Sequence, residues 1–139
     1  MRKLMLVAVI LAGASPALAA EPFNITGTWV PVSGASARFG PSPVYDNTTA
    51  QPSLVKDSSA AWSLSFDKQD GGAFAGSATG PKGKTELVLG VIRADGRTFV
   101  LSTEAGSATG ELSGDGIEVC WTDNLPNYIG ASCTTYQRK

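Results

Sequence analysis

Beyond residue 24, apolar and polar side chains alternate with a period of two in short segments. Trp62, Leu64 and Phe66 are separated by Ser63 and Ser65, and Ile117, Val119 and Trp121 by Glu118 and Cys120. Successive side chains of an extended chain point to opposite faces, so this alternation marks half-buried strands. No segment carries an apolar stripe at helical spacing. The pattern predicts eight strands, at 25–32, 61–68, 73–80, 85–93, 98–103, 107–113, 116–122 and 131–138. The links between them, among them Gln69-Asp70-Gly71-Gly72, Ala94-Asp95-Gly96-Arg97 and Gly114-Asp115, hold residues that initiate turns or tolerate positive φ.

Short links make successive strands antiparallel neighbours, so the chain reads as a meander. An open meander of this length leaves two long unpaired edges, and closing it into a barrel removes them. The expected fold is therefore all-β: one eight-stranded antiparallel up-and-down barrel over residues 20–139. A barrel of this size either fills its interior with side chains or holds one small ligand. Residues 33–60 interrupt the regularity with Pro41, Pro43 and Pro52 and show no clear period, which predicts a long first loop, either a lid over one mouth or a surface excursion.

A repeat also stands out. Ala75-Gly-Ser-Ala-Thr-Gly80 recurs as Ala105-Gly-Ser-Ala-Thr-Gly110. A phosphate-cradling glycine loop needs a helix to follow, and neither copy has one. The repeat instead predicts thin strands whose small side chains leave room for others, or for an internal cavity.

The first residues change the picture of where the chain works. Met1-Arg2-Lys3 precedes an apolar run over 4–14 and then Ala17-Leu18-Ala19, the pattern of a secretory signal peptide cut after Ala19. The run is shorter than the ~20 apolar residues that span a bilayer. A periplasmic or secreted location follows, and it suits a disulfide between Cys120 and Cys133, the two cysteines of the chain. Residues 20–139 carry 9 Lys/Arg against 12 Asp/Glu with no basic block, which gives no reason to expect nucleic acid or an anionic membrane as partner.

Catalytic motifs are sparse. The chain has no histidine, which excludes Ser-His, Cys-His and His-metal constellations. Ser53-Leu54-Val55-Lys56 fits S-x-x-K, but the S-D-N and K-T-G motifs that give it meaning are missing. Asp67, Asp70, Asp95, Asp115 and Asp123 fall mainly at expected turns, where Asp serves backbone geometry. The reading is of a non-enzyme with no catalytic residues, no cofactor and no metal site.

The opening strand reads Asn24-Ile25-Thr26-Gly27-Thr28-Trp29, and its Gly-x-Trp resembles the first-strand signature of the calycin barrels: lipocalins, fatty-acid-binding proteins and avidins. The resemblance implies a barrel whose Trp29 plugs one end and packs against an Arg near the end of the last strand, the place held by Arg138. It departs from the avidins at Val30-Pro31-Val32, where they place polar ligand-binding groups, and in having Trp121 as the sole tryptophan of the second half. The expected function is binding of a small, largely apolar ligand, or of a surface partner. Candidate pocket residues are the strand aromatics Trp29, Trp62, Phe66, Phe74, Phe99 and Trp121. Two alternatives stand beside it. One is an interaction module like the calycin-like bacterial metalloprotease inhibitors, acting through residues 20–24. The other is a structural envelope protein without ligand.

Overall fold

The structure, a computed structural model, describes residues 20–41, 48–56 and 62–139; the expected leader, residues 1–19, lies outside them. The described residues form strands and turns without a helix. In chain order the strands are β1 (Gly27–Pro41), β2 (Thr48–Lys56), β3 (Ser63–Asp70), β4 (Ala73–Thr79), β5 (Thr85–Ile92), β6 (Thr98–Ser102), β7 (Gly106–Ser113), β8 (Gly116–Leu125) and β9 (Tyr128–Arg138). They pair antiparallel in the order β2-β1-β3-β4-β5-β6-β7-β8-β9, and β1 also pairs with β9. That last ladder, from Trp29↔Arg138 to Phe39↔Ile129, closes a barrel of eight strands, with β2 as an extra.

Within the expected long loop at 33–60, the described residues are strand instead, and 42–47 and 57–60 lie outside the described residues. Residues 33–41 continue β1, and 48–56 form β2, which pairs with the same edge of β1 that β3 uses further down. Two features hid this. Val32 is the extra residue of a β-bulge between Pro31↔Tyr136 and Ser33↔Thr135, so the inward phase passes from odd residues (Trp29, Pro31) to even ones (Gly34, Ser36, Arg38). Beyond the bulge the inward side chains are small or charged, and the outward ones, Ala35, Ala37 and Phe39, are exposed. Backbone pairing on both edges holds this stretch, a contribution that hydrophobic periodicity does not register. In β2, Pro52 sits where residues 50–52 face residue 39 alone, a break in the ladder that tolerates its missing N–H.

The interior divides into two halves. At the end bearing the β3–β4, β5–β6 and β7–β8 turns, inward residues are large: Trp29, Phe66, Phe74 and Phe99 are 5% exposed or less, packed with Leu64, Val88, Ile92 and Ile117. Three of these aromatics stand directly across from glycines, as Phe66↔Gly76, Phe74↔Gly90 and Phe99↔Gly110. A Cβ on Gly90 would lie 2.2 Å from Phe74 Cζ, and one on Gly110 2.2 Å from Phe99 Cζ. The Phe74 and Phe99 rings lie over their glycines, and the rings meet edge to face, with centroids 5.0 Å apart for Phe66–Phe74 and 6.1 Å for Phe74–Phe99. Burying each of these side chains stabilises the fold by about 1.5–3 kcal/mol.

Residues 20–26 close this end from below. Ala20 N–H donates to Ala94 O and Phe23 N–H to Gly96 O, while the Gln69 side chain accepts from Ile25 N–H at 2.9 Å and donates to Phe23 O at 3.0 Å. Trp29 Nε1 donates to Ile25 O at 2.8 Å, and the Arg138 guanidinium lies 4.6 Å from the Trp29 ring centroid while donating to Asn24 O. Cys120 and Cys133 are directly opposite on β8 and β9 and form a disulfide.

Candidate functional site

At the opposite end the same alternation places small and polar groups inward. Gly34, Ser36 and Arg38 of β1, Ala78 of β4, Glu86 of β5, Ala108 of β7 and Gly130, Ser132 and Thr134 of β9 all share the inward phase of the buried core residues. With no bulky side chain to fill it, this half of the barrel is an open cup of about 330 Å³. That lies at the lower end of the range for small-molecule sites, ~300–1,000 Å³. The upper parts of β1, β8 and β9 and the β4–β5 and β6–β7 turns make its wall.

Tyr136 and Thr134 lie deepest in the lining, 1% and 4% exposed. Thr134 has no side-chain hydrogen bond among the described residues, so its hydroxyl is left for whatever occupies the cup. Ser36 and Ser132 face each other across the β1–β9 ladder one step higher. Trp62 stands against Gly80, where a Cβ would come within 3.0 Å of the indole, and Trp121 lies between Ala108 and Ser132. The two copies of the six-residue repeat thus have a packing role. In β4, Gly76 lets the strand approach the Ser65–Phe66 backbone closely and Gly80 gives room to Trp62; in β7, Ala108 lies beside Trp121 and Gly110 beneath Phe99.

Charge gathers near the rim. Lys84 and Glu86 form an ion pair at 2.7 Å. Asp123 continues the inward phase of Ile117, Val119 and Trp121, and both residues paired with it, Gly106 and Gly130, lack side chains. A Cβ at Gly106 would sit 2.8 Å from Asp123 Oδ1, and one at Gly130 3.3 Å from Oδ2, so the carboxylate rests on bare backbone. Burial pushes its pKa above the ordinary carboxylate value, and the charge of Glu86 adds to the shift. Among the described residues Asp123 has neither a hydrogen bond nor an ion pair.

Of the residues singled out from the sequence, Trp62 and Trp121 line the cup, while Trp29, Phe66, Phe74 and Phe99 lie in the packed half. Trp29 and Arg138 meet at the closed end. Sequence reasoning missed Ser36, Arg38, Glu86, Asp123, Ser132 and Thr134. Asp123 had a signal: it extends the alternation of 117, 119 and 121 by one further step, past the expected strand end at 122. On the outer surface Glu118, Cys120 and Cys133 bring their ligand atoms within 4.8 Å of one another, but both sulfurs are bonded to each other and offer no thiolate to a metal.

No protein-family model, curated protein or solved structure matches this chain.

Proposed function

We propose that this chain is an exported, non-enzymatic binding protein that holds one small molecule in the open half of its barrel. The observation that carries the reading is the uneven interior: aromatic rings crowd one half, while a cup of about 330 Å³ occupies the other. Filling it would have needed only larger residues at positions such as Ala78, Ala108 and Ser132, and an empty half forfeits packing. The lining alters the ligand expected from the sequence. Two indoles offer flat apolar faces, but hydroxyls and charged groups surround them, so the occupant is amphipathic rather than largely apolar. Export rests on the leader-like first 19 residues and agrees with the disulfide.

An outer surface supports a second reading, docking of a protein partner. Leu87, Leu89 and Val91 on β5, with Val100 opposite Val91 on β6, form an apolar stripe, 38–65% exposed. The inhibitor-like alternative fits less well, because residues 20–25 are hydrogen-bonded across the closed end rather than extended as an arm.

A fragment screen followed by tryptophan fluorescence tests the cup. Binders are expected to change the emission of the native protein and to lose that effect in Trp62→Phe/Trp121→Phe. A screen without binders, together with crystals showing the cup closed by side chains, contradicts the proposal.

A further inference from the structure

We propose that the ligand of the cup is an organic cation, an ammonium group on an apolar or aromatic body, with Asp123 as its counter-charge. The inference rests on the reading of the cup as a ligand site and specifies the chemistry of the occupant.

The cup wall carries three carboxylates, Glu86, Glu104 and Asp123, and two cations, Arg38 and Lys84. Lys84 is committed to Glu86 at 2.7 Å and half-exposed. Asp123 is different. It is half-buried, has no hydrogen bond or ion pair among the described residues, and is flanked on both neighbouring strands by glycine. A Cβ at Gly106 would press on Asp123 Oδ1, and one at Gly130 on the Tyr128 hydroxyl and Asp123 Oδ2, so the two glycines make room for the carboxylate beside that hydroxyl. A half-buried acid without a partner costs stability, and a cation arriving between Asp123 and Glu86 would satisfy one and relieve its repulsion with the other.

The surroundings suit the rest of such a molecule. Trp121 is two residues before Asp123 on the same face of β8, about 6.6 Å along the strand. An ammonium held at Asp123 is therefore within reach of an indole face, the arrangement that favours cations over neutral groups. Trp62 provides a second flat surface in the lining. An independent sign comes from deeper in the cup. The Thr134 hydroxyl, on a residue 4% exposed, has no protein partner among the described residues, so the buried end of the ligand meets a hydrogen-bonding group. Arg38 lines the same wall, so the discrimination against a carboxylate or phosphate is placed at Asp123, where such a ligand would meet like charge.

Three probes with one body and different heads test this on the full chain: 2-phenylethylammonium, 2-phenylethanol and phenylacetate, titrated by calorimetry and tryptophan fluorescence. The cation is expected to bind at least roughly tenfold tighter than the alcohol, with phenylacetate weakest. Asp123→Asn, whose amide keeps the carboxylate's shape, should bring cation and alcohol to within about threefold of each other, with alcohol binding unchanged. Circular dichroism verifies that the variant folds, and Asp115→Asn in the exposed β7–β8 turn, at the opposite end of the barrel, should keep the preference. Equal binding of the alcohol or phenylacetate, or a preference that survives Asp123→Asn, overturns the cation assignment and leaves the cup as a ligand site. If none of the three perturbs Trp62 or Trp121, the cation assignment fails, while the cup reading is decided by the fragment screen and crystals.

Discussion

Asp95 and Asp123 respond to folding in opposite directions. Asp95, in the β5–β6 turn, accepts hydrogen bonds from the Thr98 hydroxyl and from the Thr98 and Arg97 N–H groups, which lower its pKa from 3.8 to about 2. The folded state therefore holds fewer protons than the unfolded one between those values. The stabilisation is present above pH 3.8 and disappears as pH falls through 2. Asp95→Ala should unfold at a lower temperature than the native protein at pH 7, with the gap closing towards pH 2; thermal melts across that range check it. Asp123 has the reverse sign. Burial and Glu86 raise its pKa above 3.8, so stability falls as pH rises through the window above that value. Asp123→Asn should melt higher than the native protein at pH 7 and show no such gain below pH 3.8. A residue that weakens the fold while facing a cup is a candidate for function. In the sequence it looked like one more turn aspartate, because its burial and its glycine neighbours come from strands 17 and 7 residues away, Gly106 and Gly130.

β3 to β9 all lie close to their expected bounds, and what the pattern missed is the upper part of β1 together with β2. β3, β5 and β6 show a buried apolar phase and lie within a few residues of their expected bounds. The upper part of β1 puts Gly34, Ser36 and Arg38 inward after a phase change at Val32, so it does not advertise a strand through hydrophobicity, and the expected strand at 131–138 falls only three residues short of the start of β9. The partners of the aromatics were hidden as well. Phe74 and Phe99 are obvious core residues, but that Gly90 and Gly110 lie under their rings depends on register, which a sequence pattern does not set alone. Gly110→Ala should destabilise by about 1–3 kcal/mol through overpacking against Phe99 and the Glu118 carbonyl. Denaturant unfolding measures it. Adding Phe99→Leu, which removes the ring tip, should make the double variant less destabilised than the sum of the two singles. Strict additivity would mean the ring does not lie over the glycine.

The molecule as a whole is a barrel closed by β1 and β9, sealed at one end by residues 20–26 and open at the other. The closed half carries the stability and leaves the open half free to be hollow. The β8–β9 hairpin that bears much of the cup wall is pinned outside by Cys120–Cys133. Thiol titration of the unreduced protein should find no free thiol. Cys133→Ser should lose at most ~3 kcal/mol, because the two positions already face each other in the ladder. The division between the halves is most directly measured at the three indoles. Trp29 is 1% exposed and its N–H is bonded to Ile25 O, whereas Trp62 and Trp121 line the cup without a protein acceptor among the described residues. Hydrogen exchange of the indole N–H groups, followed by nuclear magnetic resonance, should show Trp29 strongly protected and the other two exchanging orders of magnitude faster. Equal protection of all three would mean a solid interior, and equal rapid exchange a barrel that does not close; either result contradicts the account.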